Sequence, residues 1–477
     1  MSPTSTPDGD HVTDPQETFD FVIIGAGPAG EAALELAREG GHSVAIVDSD
    51  LFGGSCAFWA CMPSKSLLHA AAVHDAGGDF PWQKASDFRD WMISREEVDY
   101  PSDAGHEARY RSVGAEPIRG TARLDGPGVV RVTLTDGGER VLQARDIVIA
   151  VGSHSRIPEV VGLDHIDYWT NREGSGAREL PQSLLIMGGG PTGTELAQVY
   201  ARYGVPVTLI DSNPRILARD HARNSELVQQ ALERDGATVR TGVRAVQVEP
   251  NGGEDGAHRV ILSDGSFADG HEVMVSIGRA IPFEGLGLES IGLIAEGRMP
   301  RPDAQLRIAP HVYVVGDPAG PELHTHLAHY QGEMAVRIAR GEDVTPDYRA
   351  IPRALYTDPE AASVGLLLEQ ALEAGYDAFE ATADLSTTAK GYTAQAEGHI
   401  TIVVDRATRT LVGAFIGGPG ASELIHEAVL AVKLRVPLGQ LADTIHAFPT
   451  AARVMGSLFV QVHRELEGFA RPDQAER

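Results

Sequence analysis

Two cysteines, the only ones in 477 residues, lie five apart within Gly53-Gly54-Ser55-Cys56-Ala57-Phe58-Trp59-Ala60-Cys61-Met62-Pro63-Ser64-Lys65. Five residues of an α-helix rise roughly 7.5 Å, whereas bonded cysteines keep their Cα atoms about 4.4–6.8 Å apart. A helix through this segment must therefore be distorted in its first turn for a bridge to close. Gly53-Gly54 allows a sharp entry, and a helix starting here aims its positive end at the sulfurs, which favours the reactive thiolate. The alternative is two structural cysteines that pack as small hydrophobes.

What precedes the pair decides between these. The apolar run Phe21-Val22-Ile23-Ile24 leads into Gly25-Ala26-Gly27-Pro28-Ala29-Gly30, an alanine-rich helix and the strand Val44-Ala45-Ile46-Val47 ending at Asp48. Strand, glycine turn, helix and ribose-holding acid make a dinucleotide-binding βαβ unit. The unit recurs: Leu184-Leu185-Ile186-Met187, then Gly188-Gly189-Gly190-Pro191-Thr192-Gly193, a helix through Glu195 to Tyr203, and Val207-Thr208-Leu209-Ile210 ending at Asp211. Both acids lie 23 residues after the first glycine of their turn. The chain thus carries two nucleotide sites, and the cysteines follow the first, where they read as a redox disulfide beside a flavin.

Composition bounds the rest. A formal charge of −27, from 40 basic and 67 acidic residues, argues against nucleic acid or acidic membranes as partners. No apolar run reaches the 18 or so residues of a membrane span. Two cysteines make no disulfide framework, and the first residues lack a signal-peptide pattern, so a reducing cytoplasm is expected.

The expected organisation is α/β: two Rossmann-like dinucleotide-binding domains plus a C-terminal α+β domain. Residues 1–18 read as a disordered tail. The first nucleotide domain takes 19–155 and returns at 284–348; the second takes 156–283; the association domain takes 349–477. Hairpins are expected around Asp136-Gly137-Gly138 and Asp264-Gly265. The strand 147–151, running into Gly152-Ser153, returns to the first sheet, and Ile277-Gly278-Arg279 marks the exit from the second domain. Strand Val312-Tyr313-Val314-Val315 ends at Gly316-Asp317, where glycine admits a ligand and the carboxylate accepts bonds from hydroxyls such as those of a ribityl chain.

After its first 18 residues the chain resembles the flavin-dependent pyridine nucleotide-disulfide oxidoreductases, the family of dihydrolipoamide dehydrogenase, glutathione reductase and mercuric reductase. The resemblance rests on Gly25 to Gly30, the GGSC…CMPSK segment, Gly188 to Glu195, Val312 to Asp317 and Tyr356-Thr357-Asp358-Pro359-Glu360. It implies FAD on the first turn and Asp317, a nicotinamide nucleotide on the second turn, and a homodimer formed by the C-terminal domain. It further implies that Cys61 faces the flavin, that Cys56 exchanges with substrate, and that Lys65, one helical turn beyond Cys61, pairs with Glu195 and stabilises negative charge on the flavin. An exposed ion pair is the alternative for Lys65 and Glu195. Cofactor contacts are expected at Gly25, Gly27, Pro28, Ala29, Gly30, Asp48, Gly54, Ser55, Gly152, Gly316 and Asp317, and at Gly188, Gly190, Gly193, Asp211, Gly278 and Arg279. Asp211 favours NADH over NADPH because an acid at this strand end bonds ribose hydroxyls and repels a 2′-phosphate; Arg215 is the residue that would reach round to such a phosphate. Pro191 stands where several relatives have a tyrosine.

One departure concerns proton transfer. Relatives generally carry His immediately before Pro-Thr and Glu five residues after that His; here those positions are Phe448 and Arg453. A phenyl ring transfers no proton. His446, two residues earlier, faces the same side of an extended stretch but roughly 6.6–6.8 Å away, and is expected to pack or cap. His324, His326 and His329 cluster without a carboxylate or cysteine at a recognisable metal spacing, so no metal site is expected.

These observations predict an FAD-dependent NAD(P)H oxidoreductase that passes hydride through flavin and the Cys56/Cys61 pair to a small acceptor, such as a quinone. Alternatives are a true disulfide or metal-ion reductase with another proton donor, and a non-catalytic flavoprotein redox sensor.

Overall fold

The computed structural model describes residues 17–95 and 100–469. They divide into two compact units: Met1–Gly54, Ser102–Ser153 and Ile281–Pro346 in the first; Ser55–Pro101, His154–Ala280 and Asp347–Arg477 in the second.

The first unit is built on a seven-stranded sheet. Strand Glu17–Ile24 pairs in parallel with Val44–Asp48 on one side and Glu139–Ile149 on the other. Such a strand is buried on both faces and must be apolar throughout, and Phe21 to Ile24 all lie in the core. Strand Val312–Val314 adds in parallel to Glu139–Ile149. The expected hairpin and returning strand are one element, since Glu139–Ile149 pairs antiparallel with Val129–Leu134 at its start and in parallel at its end. Helices Pro28–Glu39 and Thr325–Ala339 pack together so closely that a Cβ on Gly332 would lie 2.2 Å from the Ala29 carbonyl oxygen. Of the tail expected over 1–18, Glu17 and Thr18 instead begin the first strand, paired with Leu142 and Gln143; the remainder lies outside the described residues.

The second unit holds a four-stranded parallel sheet in the order Glu272–Val275, Leu184–Met187, Val207–Asp211, Thr238–Thr241. A three-stranded meander, Ala245–Glu249, His258–Leu262 and Phe267–Gly270, turns at the expected Asp264-Gly265. A five-stranded antiparallel sheet follows, ordered Pro352–Leu355, Ala361–Gly365, Thr410–Gly417, His399–Asp405, Ala378–Asp384, with helices Ala421–Leu434 and Ala451–Leu466. Ser55–Pro101, expected within 19–155, groups with this unit. Leu67, Leu68 and Trp82 share a core with Leu184, Ile186, Leu196 and Tyr200, and each such aliphatic side chain contributes about 2 kcal/mol on burial.

Candidate active site

The segment between the cysteines is not one helix. Residues Gly54–Phe58 form a short helix carrying Ser55 and Cys56, the chain breaks at Trp59 and Ala60, and Cys61 is the first residue of helix Cys61–Asp75. Trp59 N donates to the Ser55 carbonyl (2.8 Å), closing the first helix, and Ser64 N donates to the Ala60 carbonyl (3.1 Å), opening the second. Ala60 takes up the break with φ −135° and ψ −95°. Two residues of non-helical backbone are the distortion that the five-residue spacing demands of a bridge, and Cys56 and Cys61 are unbridged in this structure. Cys61 thereby sits on the amide-rich end of a 15-residue helix, an environment that favours thiolate, and both cysteines are partly exposed.

The carbonyl of Trp59 belongs to neither helix and is bonded from outside. Asn171 Nδ2 donates to it at 2.7 Å and Ser175 Oγ at 3.2 Å. Both sit one turn apart on helix Asn171–Gly176, whose Thr170 accepts from Arg172 N (3.2 Å) while Glu173 accepts from Thr170 N (2.7 Å). Ser155 Oγ donates to Asn171 Oδ1 (2.8 Å), and the buried Arg89 Nη1 donates to the Ser175 carbonyl (3.0 Å). Sequence reasoning missed these residues; the Thr170-Asn171-Arg172-Glu173 pattern is a capping-box signature that announces the helix but not its partner.

Lys65 and Glu195 meet as expected. Lys65 Nζ donates to Glu195 at 2.8 and 3.1 Å, and Tyr356 N donates to Glu195 at 3.1 Å. Glu195 is 4% exposed, so the pair is not a surface one. Burial works against the charge of Lys65, but the Glu195 carboxylate, with a smaller contribution from Cys61, outweighs it and holds the ammonium pKa above its ordinary value. Lys65 Nζ also lies 4.7 Å from the Tyr356 ring centroid.

The two glycine turns repeat one another. Gly25 and Gly188 adopt φ +105° and +112°, and a Cβ would lie 2.3 Å from the Ala150 oxygen in one and 2.4 Å from the Ser276 oxygen in the other, which only glycine allows. Asp48 accepts from Ala26 N (2.7 Å) and Asp50 N (2.8 Å); Asp211 accepts from Gly189 N (2.6 Å) and Asn213 N (2.7 Å). Burial pushes the Asp48 carboxyl up against those bonds. Helices Pro28–Glu39 and Pro191–Arg202 start at Gly27 and Gly190, with Pro28 and Pro191 in the first turn beside Ala29, Gly30 and Gly193, and neither has a side-chain cap. Uncapped amide-rich ends bound by glycines fit the pyrophosphates of FAD and of a nicotinamide nucleotide. Behind the first turn, Glu31 accepts from Tyr110 Oη (2.7 Å) and contacts His106 Nδ1 at 2.8 Å. Burial raises the Glu31 carboxyl, but these bonds hold it below the usual range.

Asp317 follows Gly316 and accepts from Ser153 Oγ, next to Gly152 in the chain; Gly316 N donates to Gln331 Oε1 at 2.9 Å. The arrangement fits a carboxylate held ready for hydroxyls. Arg279 pairs with Ser155 across a two-stranded ladder beginning just after Gly278. Arg215 donates to the carbonyls of Leu217 (3.1 Å), Ala218 (3.1 Å) and Asp220 (2.8 Å), so its guanidinium is engaged by its own loop.

The segment that departs from the family pattern is exposed. Phe448 is 74% and Ile445 97% exposed, and Arg453 lies in the first turn of Ala451–Leu466. His446 turns inward: Nε2 contacts Glu427 at 2.8 Å and Nδ1 the Thr444 carbonyl at 3.0 Å. His324 contacts Glu322 at 2.9 Å and stacks on His326. Among the described residues no group of three or more His, Cys, Asp or Glu is placed to hold a metal ion, and no helix is long and apolar enough to cross a membrane.

Comparison with known proteins accords with this geometry. The family model for pyridine nucleotide-disulphide oxidoreductase matches residues 19–332, and that for its dimerisation domain matches 351–458. A dihydrolipoyl dehydrogenase of Chlorobaculum tepidum is 33% identical over 450 residues, covering 92% of this chain and 95% of its own. A mercuric reductase of Streptomyces lividans is 32% identical over 464 residues, covering 92% and 94%. The crystal structure of LpdA from Mycobacterium tuberculosis matches with a TM-score of 0.82 at 25% identity, over 94% of this chain and 99% of that one. The chain belongs to the pyridine nucleotide-disulphide oxidoreductase family and is an FAD-dependent oxidoreductase with a dimerisation domain.

Proposed function

We propose that this protein oxidises NADH and delivers the electrons through Cys56 and Cys61 to a small acceptor, acting as a homodimer in a reducing cytoplasm. The observation that carries this is half-buried Lys65 paired with buried Glu195 one turn from Cys61, an ammonium held beside that thiol which a purely structural cysteine pair does not need. Bound FAD supplies two-electron transfer between nicotinamide and thiols. Cys61 is assigned as the sulfur that receives the electrons and Cys56 as the one that exchanges with the acceptor. The turn Gly25 to Gly30, Asp48, Gly54, Ser55, Gly152, Gly316 and Asp317 are assigned to FAD, within 19–155 and 284–348. The turn Gly188 to Gly193, Asp211, Gly278 and Arg279 are assigned to the nicotinamide nucleotide, within 156–283. Asp211 together with the engaged Arg215 supports NADH over NADPH. Leu430, Leu434, Ile445 and Phe448, each more than half exposed, support association through 349–477. In balance, NADH, a proton and a disulfide acceptor give NAD⁺ and two thiols.

The relatives favour a disulfide acceptor. A quinone is the second reading, favoured by the phenyl ring at position 448, because direct reduction of a quinone does not need a protonated leaving thiol. Steady-state consumption of NADH and NADPH by the flavin-loaded protein with lipoamide, oxidised glutathione and a benzoquinone separates the two. Disulfide turnover abolished by Cys56→Ser supports the disulfide reading; quinone turnover that survives Cys56→Ser, without disulfide turnover, supports the second. No turnover of either nucleotide with any acceptor would overturn both.

A further inference from the structure

We propose that Asn171, assisted by Ser175, is a positioning residue that sets the redox equilibrium of the Cys56/Cys61 pair by clamping the helix break between them. This rests on the reading of the pair as the electron relay. Closing a bridge over five residues requires backbone that is not helical, and the Trp59 carbonyl is the group that leaves the helical ladder to permit it. A main-chain acceptor left without a partner in a partly buried position is costly. Here it receives two side-chain donors from one helix, at 2.7 and 3.2 Å.

The clamp is itself fixed. Ser155 Oγ orients the Asn171 amide by donating to its oxygen at 2.8 Å, which turns the amide nitrogen toward Trp59. Buried Arg89 holds the Ser175 carbonyl, and the capped turn at Thr170 anchors the helix start. Tyr100 Oη donates to the neighbouring Phe58 carbonyl at 3.4 Å, while the Tyr100 ring meets Trp59 edge to face at 6.2 Å. These groups converge on Phe58 and Trp59, at the end of the first cysteine helix and the break that follows it.

The clamp is formed with both cysteines unbridged; by fixing the non-helical backbone that a five-residue bridge requires, it favours the disulfide over the dithiol. Asn171→Asp keeps the size of the side chain but replaces the donor with a carboxylate that cannot donate to a carbonyl. The flavin-loaded protein is equilibrated with dithiothreitol buffers. The thiol reagent gives two electrons and two protons and closes to its cyclic disulfide, while the Cys56–Cys61 bond opens to two thiols. Alkylation followed by mass spectrometry reads the result without ambiguity, since the chain has no other cysteine.

The expected result is an equilibrium shifted toward dithiol by up to about tenfold, about 30 mV upward in potential, with flavin content unchanged. Ser175→Ala, which removes the longer of the two bonds, should shift it less and in the same direction, and it serves as the test should the Asp variant fail to fold. Wild-type cycling with both variants inside twofold of it would overturn the clamp while leaving the relay intact. Failure of Cys56 and Cys61 to titrate in the wild type would overturn both.

Discussion

Two stretches of the second unit differ in how they are furnished for chemistry. Around Cys56 and Cys61 the backbone break is bonded from outside, Cys61 heads a long helix, and Lys65 is paired with a carboxylate 4% exposed. Around residues 445–453 the side chains at the departing positions are apolar or cationic and face outward, and the one histidine is turned onto Glu427. The first stretch fixes the backbone between the cysteines and an ammonium beside Cys61; the second places a phenyl ring and a guanidinium at positions 448 and 453. In the proposed reaction, electron transfer and proton delivery are therefore open to separate tests by substitution.

Changes at the furnished stretch should have the largest effects. Cys61→Ser should abolish disulfide turnover while flavin stays bound, measured by steady-state rates and the visible spectrum; retained disulfide turnover would show that Cys61 is not in the electron relay. Lys65→Met should cost about 1–3 kcal/mol in chemical denaturation because buried Glu195 loses its countercharge and keeps only neutral donors such as Tyr356 N. Lys65→Met with Glu195→Leu should recover most of that loss. The pair also has a pH signature. The Lys65 pKa is raised above its unfolded value of 10.5, so its contribution is complete below that pH and disappears as pH rises through the folded-state value. Denaturation between pH 8 and about 11 should therefore show an alkaline loss that the double variant lacks.

Substitutions in the outward-facing stretch should act in the other direction. Phe448→His with Arg453→Glu should raise disulfide turnover by about a hundredfold if proton transfer is what limits it, the low end of a general acid–base contribution. An unchanged kcat would show that protons reach the acceptor by another route. The smallest effect is expected at the inward histidine. His446→Gln should change disulfide turnover less than twofold and stability by less than about 1 kcal/mol, because the amide can still hydrogen-bond Glu427. A large loss of kcat there would make His446 and Glu427 the missing proton route.

The features legible in the sequence are those whose cause is local. Gly25 and Gly188 are required by the turn itself, Asp48 and Asp211 by the end of the second strand, and Lys65 stands one helical turn from Cys61; spacing alone reports each. Glu195 was legible only through resemblance, because 130 residues separate it from Lys65. What the sequence concealed depends on distant partners. Asn171 reaches Trp59 across 112 residues, and no periodicity links an amide on a short helix to a carbonyl elsewhere. Arg215 looked available to a phosphate because its three carbonyl acceptors exist only once the loop is folded. Ser55–Pro101 joined the second unit because Trp82 and Leu67 bury against Tyr200 and Leu196, a choice of packing partner that an apolar pattern leaves open.

In the proposed relay, electrons from NADH reach Cys56 and Cys61. The direct measurement is anaerobic reduction of the flavin-loaded protein with one, then two, equivalents of NADH, acid quench, alkylation and mass analysis of the peptide holding both cysteines. Starting from the oxidised protein, two alkylated thiols should appear together on that peptide. Flavin bleaching without new thiols, at either equivalent, would contradict the relay.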